Sequence, residues 1–380
     1  MASEFSTNQR GIPIDDITVL CYTKRLERSG VVYGWGDGSL GQLTVRNGRQ
    51  TLPRERRKFK TVTDIAAGYF TSFAVKDNEL FAVGSNSSGQ LGLGNGQPNT
   101  VFVPAKVDLS SIKNFTSGER CSFAVDKSGG LWSWGANLNG ILGRNHHSLV
   151  DGSPQFIDSL QNYEIKQVAC GSVHVCCLSS GGEVFTWGNR NLVGQEHLDS
   201  DVRVPTKVNI EKISQISCGK MHTLLLSADQ KTVWAFGCNS HGQLGHGRRL
   251  RFAETPVKVP FSGEKAIVKI QCWDDDSAIL SADGEITVWG EFWNRDNPRS
   301  PRLVNLRQVV DISMGKGFML ALTSSNRLYA FGHNFCGQCG QGSGSSDFIR
   351  EPVEVKNLHN LRIKQISAGH YHCLIKCAKH

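Results

Sequence analysis

No run of this 380-residue sequence is long enough to cross a bilayer. The longest apolar stretches, such as Ile17 to Tyr22, fall far short of the roughly 20 residues that a spanning helix needs. The opening residues, MASEFSTNQRGIPIDD, have no basic segment followed by an apolar one, so no secretory signal is expected. Charge is sparse as well. With 42 Lys and Arg against 34 Asp and Glu, the net +8 is too mild and too spread to mark a nucleic-acid binder. Phosphate-binding loops, nucleophile elbows and paired-carboxylate signatures are missing, which removes the common hydrolytic classes. The twelve cysteines, in a chain of this length without a signal, read as reduced thiols of a cytoplasmic or nuclear protein. Glycine is the abundant residue, at 41.

Glycine in excess is punctuation, and here it recurs with a period. A small residue plus Gly ends an alternating apolar stretch in DIAAG (64–68), NFTSG (114–118), QVACG (167–171), QISCG (215–219), DISMG (311–315) and QISAG (365–369). An aromatic plus Gly recurs at Trp35, Trp134, Trp187, Phe236, Trp289 and Phe331, with Val83-Gly84 filling the remaining slot. Prolines 53, 104, 154, 205, 256, 301 and 352 are spaced 51, 50, 51, 51, 45 and 51. Each unit reads as four short strands. Strand A ends in the small-Gly pair, B is the next apolar alternation, C carries the aromatic-Gly, and D starts at the proline. Turn pairs such as Ser128-Gly129 separate B from C as hairpins.

Seven four-stranded units of about 50 residues predict an all-β fold, a seven-bladed β-propeller. A β-solenoid competes, but its coils are shorter and lack four hairpin-linked strands. The chain ends decide between them. Residues 363–376 are strands A and B with no C or D after them, and residues 31–58 are C and D with no A–B unit before them. They complete one blade only if the ring closes. Residues 17–380 are therefore expected to form one propeller domain, with 1–16 as a flexible tail. Ile17 to Tyr22 competes for the B position of the closing blade.

The segment SCGKMHTLLLSADQKTVWAFGCNSHGQLGHG at 217–247 resembles the repeat of the regulator of chromosome condensation family. So do AAGYFTSFAVKDNELFAVGSNSSGQLGLG and MGKGFMLALTSSNRLYAFGHNFCGQCGQG, and the resemblance runs from about residue 31 to 376. It implies the propeller. It also implies a range of activities: nucleotide exchange on the small GTPase Ran with nucleosome docking, ubiquitin-ligase modules, ciliary and vesicle-traffic regulators, and a plant UV-B photoreceptor. Fold is thereby implied far more narrowly than activity.

Most chemically suggestive residues have a packing explanation. His174, His222 and His372 follow the strand-A glycine by three residues in separate repeats, so inter-strand hydrogen bonding is expected of them and not convergence on a metal. Cys336 and Cys339 have metal or redox spacing, but Cys339 stands where other repeats have the Leu of GQLG and no second CxxC exists. His146-His147 is an isolated pair in a loop. Cys377 in the terminal CAKH has the prenylation position, yet Lys379 is not aliphatic. No metal, cofactor or catalytic residue is expected. Two basic clusters, RERRKFK at 54–60 and GRRLRF at 247–252, fall on different loop sets and read as solvated surface, with phosphate or an acidic partner as the alternative.

The repeat fails in its sixth unit. There Trp273 replaces the strand-A glycine, the A–B turn becomes WDDDS, and the C–D loop EFWNRDN has lost GQLG. Both departures fall on one face of one blade. Trp273, Asp274, Asp275, Asp276, Trp293 and Arg295 are expected to form a protein-binding surface, because exposed aromatics beside charge make interface hot spots; local repacking is the competing explanation. Two functional classes stay open. One is a non-catalytic interaction platform or regulator with a protein partner, a small GTPase among the candidates. The other is a guanine-nucleotide exchange factor for a GTPase of the Ran or Rab type. The photoreceptor is set aside because its Gly-Trp-Arg-His-Thr signature is absent.

Overall fold

The computed structural model describes residues 29–46, 48–59, 61–146, 148–196, 198–247, 250–261, 265–291 and 300–378. Seven antiparallel sheets follow one another, each in the order A-B-C-D. Blade 1 joins the two ends of the chain. Its strands A and B are Ile363–Ala368 and His372–Ala378, and its C and D are Gly30–Asp37 and Arg49–Glu55. The pairing runs from Gly30 opposite Ala378 to Gly36 opposite His372, so the ring is closed. Residues 372–378 fill the B position; Ile17 to Tyr22 and the expected tail lie outside the described residues. Among the described residues no helix is long and apolar enough to cross a membrane.

The repeated marks turn out to be fasteners between blades. The strand-C tryptophans 35, 134, 187 and 289 are fully buried. Each indole N–H donates to a carbonyl in the preceding blade's C–D loop: Gln338, Gln90, Ile141 and Gln243, at 2.8, 2.9, 2.6 and 2.8 Å. The repeated histidines fasten the other side. His174 Nε2 lies 2.9 Å from Thr223 Oγ1, His222 Nε2 2.8 Å from Ser277 Oγ, and His372 Nε2 3.0 Å from Ser72 Oγ, the last across the closing seam. A third set rings the channel, where Gln167 bonds the Ile216 main chain and Gln215 that of Val268. The strand-C glycine is required by its backbone: Gly237 has φ +101, and a Cβ there would stand 2.5 Å from the Met221 carbonyl oxygen.

Strand D does not begin where expected. In the regular blades it begins three or four residues before the proline, as in Phe252–Lys258 around Pro256. The C–D register shifts between Ala235 and Gly237, leaving residues 254–256 opposite Phe236 alone. The proline thus occupies a bulge on the outermost strand, where a missing N–H leaves no ladder bond unmade. In blade 6 alone does the described strand D, Arg302–Leu303, follow its proline.

Candidate functional site

The A–B turns surround one mouth of the central channel, and main-chain bonds link those of blades 4, 5 and 6 and those of blades 7, 1 and 2. Ser172 N–H donates to Lys220 O, Lys220 N–H to Asp274 O, Lys316 N–H to His370 O and His370 N–H to Gly68 O, at 2.8 to 3.2 Å. This belt fixes the side chains it carries. Beneath it the channel encloses about 170 Å³, lined by strand A of every blade.

Trp273 enters this mouth for a legible reason. In blade 5 the imidazole of His222 lies against Gly219, leaving no room for a side chain. Blade 6 has Asp276 at the histidine position, and with no ring over the turn the glycine position accepts a tryptophan. Trp273 stacks on Tyr69 of blade 2, three blades away round the ring, with centroids 5.4 Å apart and 28° between planes. Tyr69 in turn stacks on His370 of blade 1 at 4.8 Å, and Phe70 and Tyr371 pack against the same imidazole at 5.1 and 4.3 Å. Burial, then Lys316 nearby, pushes His370 down to about 3, so the ring in the stack is neutral. The Trp273 indole nitrogen is buried in this stack without a hydrogen-bond partner.

Charge surrounds the aromatics. Asp274, in a left-handed turn conformation at φ 50, lies 3.9 Å from Lys220 Nζ and 3.5 Å from Lys316 Nζ. Asp275 faces the other way, toward blade 5. Its Oδ1 accepts from Gln243 Nε2 at 2.8 Å, and its Oδ2 lies 3.5 Å from His241 Nδ1. Burial pushes the Asp275 carboxyl up, Asp274 adds to this, and His241 opposes it. His241 Nε2 is 3.9 Å from Glu291, the last described residue of the altered C–D segment.

Of the six residues singled out in the sequence, the structure describes four. Trp273, Asp274 and Asp275 come together at the mouth, with Trp273 half-buried in a stack and not a free-standing anchor. Asp276 does not join them. It begins strand B opposite Gly290 and is 3% exposed, because the strand position of the histidine points into the blade seam. Trp293 and Arg295 lie outside the described residues. Tyr69, Phe70, His370 and Tyr371 were missed, although each follows a strand-A glycine by one or two residues, and reading those positions across all repeats finds them.

The remaining candidates are absorbed by packing. Cys339 is fully buried in the position of Leu91 and Leu244, and Cys377 is 1% exposed in strand B of blade 1. His146 pairs with Asp151 at 3.0 Å, while His147 is outside the described residues. The first basic cluster is divided. Arg56 is 5% exposed and donates to the Gly34 carbonyl, whereas Arg54 and Arg57 are exposed. Of the second cluster, Arg251 is exposed, and Arg248 and Arg249 lie outside the described residues.

Comparison with known proteins agrees with the architecture. The model for the regulator of chromosome condensation (RCC1) repeat matches residues 29–75, 77–125, 128–178, 181–226, 232–280 and 325–375. A second model of that repeat matches 165–195, 213–243 and 309–338. Human E3 ubiquitin-protein ligase HERC2 is 29% identical over 373 residues, covering 91% of this chain but 8% of its own length, so this chain spans only a small part of that relative. The ultraviolet-B receptor UVR8 of Arabidopsis thaliana is 29% identical over 343 residues, 82% of this chain and 75% of that one. Among solved structures, human WBSCR16 has a TM-score of 0.82 at 22% identity, covering 93% of this chain and 100% of its own. Prp20p of Saccharomyces cerevisiae, described together with its binding to Gsp1p and histones, has a TM-score of 0.82 at 20% identity, with 94% and 93% covered. At those identities the likeness to the two structures is one of fold. With repeat matches spread over most of its length, the chain belongs to the regulator of chromosome condensation repeat family.

Proposed function

We propose that this propeller is a protein-interaction regulator that docks its partner on the face bearing the A–B turns and C–D loops, in the cytoplasm or nucleus. The supporting observation is the mouth of the channel: a cross-ring aromatic stack centred on Trp273 and Tyr69, rimmed by Lys220, Asp274 and Lys316. An immobilised aromatic centre with a charged rim is the composition of an interface hot spot. Because the turns are already tied together, little ordering cost remains for binding. Trp293 and Arg295 are proposed to extend this surface. A small GTPase is the partner class to test first, on the strength of the family resemblance, with exchange activity as the finer alternative.

The experiment is capture by the full chain, scored for bound small GTPases with and without nucleotide. Trp293→Ala should weaken capture by about 2 kcal/mol or more, as loss of a buried aromatic anchor does. Asn at Asp274 and Asp275 should mainly slow association and reduce its salt dependence. A partner that binds all these variants as it binds the parent chain sinks the assignment of this face.

A further inference from the structure

We infer that His241, Asp275 and Glu291 form a binding site for a divalent transition metal of the zinc class at the seam between blades 5 and 6. The three side chains come from three chain segments, and their ligand atoms all lie within 4.8 Å of one another. His241 Nδ1 is 3.5 Å from Asp275 Oδ2, and His241 Nε2 is 3.9 Å from Glu291 Oε1. A tetrahedral zinc ion with bonds of about 2.1 Å holds its ligands about 3.4 Å apart. A metal takes one ring nitrogen, so one carboxylate must turn toward it by about 1 Å. Glu291, at 60% side-chain exposure, is free to turn.

The fold itself brings these three positions together, which separates this cluster from a chance group of surface charges. In each blade the residue after the strand-C glycine donates its N–H to the carbonyl of the residue before strand B. Glu291 does so to Asp275 at 3.2 Å, Ala136 to Arg120 at 2.9 Å, and Asp37 to Tyr371 at 2.7 Å. The preceding blade's C–D loop supplies the third position. Elsewhere the trios are Ser88 with Arg120 and Ala136, Asn139 with Val173 and Asn189, and Cys336 with Tyr371 and Asp37. Among these seams, only the one between blades 5 and 6 fills all three positions with metal-ligand side chains.

The donor set fits the ion. One imidazole and two carboxylates suit zinc and its neighbours better than magnesium or calcium, which favour oxygen alone. His241 lies within 4.0 Å of both carboxylates and Lys220 acts on Asp275 from farther away, so a cation seated there meets two acidic groups drawn from separate segments. The Gln243 amide holds the second oxygen of Asp275, as an outer-shell partner orients a ligand. Three protein ligands leave a coordination position for water or for a donor from another molecule.

The test is calorimetric titration of the chelator-treated full chain with zinc chloride, with magnesium chloride in parallel. The expected result is one zinc ion per chain, no comparable magnesium binding, and affinity reduced at least roughly tenfold in both His241→Ala and Glu291→Gln. Glu291 is exposed and His241 partly so, and unchanged thermal melting verifies that each variant is folded. Cys336→Ser and His146→Ala, on other seams, should bind zinc like the parent chain. Absence of saturable zinc binding overturns the inference, as does binding that survives both substitutions undiminished. The readout needs no protein partner, so it stands or falls apart from the proposed docking function.

Discussion

Blades 5 and 6 are neighbours cut from one repeat, and they use equivalent positions in opposite ways. In blade 5 the glycine Gly219 lies beneath the His222 ring, and that ring bonds Ser277 across the seam. In blade 6 the same two positions are Trp273 and Asp276, and the aromatic group leaves the seam for the channel mouth. The channel-lining fastener changes too. Gln215 of blade 5 makes neutral main-chain bonds, whereas Lys269 of blade 6 makes a buried ion pair with Asp311 at 2.6 Å. Where the repeat is kept, polar side chains are consumed in holding blades together. Where it is broken, Lys269 and Asp276 stay buried between blades, while Trp273 and Asp274 reach the channel mouth.

The largest expected effect comes from removing closure altogether. Deleting residues 363–380 takes strands A and B from blade 1, together with the His372–Ser72 and Gln365–Asp64 bonds to blade 2. The strand-C edge of blade 1 is then exposed, and cooperative thermal unfolding should be lost. A truncated chain that melts like the parent contradicts the closed ring.

Two tryptophan substitutions sharpen the contrast between seam and surface. Trp187→Ala removes a fully buried ring and its bond to the Ile141 carbonyl, and should cost about 3–5 kcal/mol in denaturant titration. Trp273→Ala removes a partly buried ring with no hydrogen bond to lose, and should cost less than Trp187→Ala, with about 1 kcal/mol of it from the lost stack. Equal costs dissolve the distinction.

The histidine seams give a pH signature that blade 6 lacks. Burial holds His174 down to about 4, His222 to about 3 and His372 to about 4, so all three stay neutral in the folded state. Unfolded histidine takes up a proton below pH 6.5. Stability is therefore full above that pH and falls as pH drops toward 4, by up to about 1.4 kcal/mol per pH unit for each histidine. In urea titrations between pH 6 and 4.5, His222→Gln should remove one proton's share of that slope. An unchanged slope means His222 is not buried neutral.

The fold was legible because its marks are mechanical. A tryptophan that must reach the previous blade's carbonyl, and a glycine that must sit at positive φ, recur with each blade. The start of strand D was not legible, since Pro256 marks a bulge and the sequence alone does not distinguish a bulge from a strand end. The site was half legible. Trp273 and Asp274 stood out as departures, but Tyr69 and His370 belong to repeats that keep their glycine, and only ring closure brings blades 1, 2 and 6 face to face. His241 sits in the fifth blade's GQLG loop, which keeps the repeat. The blade seam places it against Asp275, so substituting it perturbs the surface under test.

The central claim is that the blade 6 departures serve recognition and their blade 5 counterparts serve packing. Measuring melting temperature and partner capture side by side for Trp273→Ala tests it most directly. The account expects melting close to that of the parent chain with capture strongly reduced. A large drop in melting temperature, with the remaining folded protein still capturing its partner, contradicts it and makes Trp273 a packing residue.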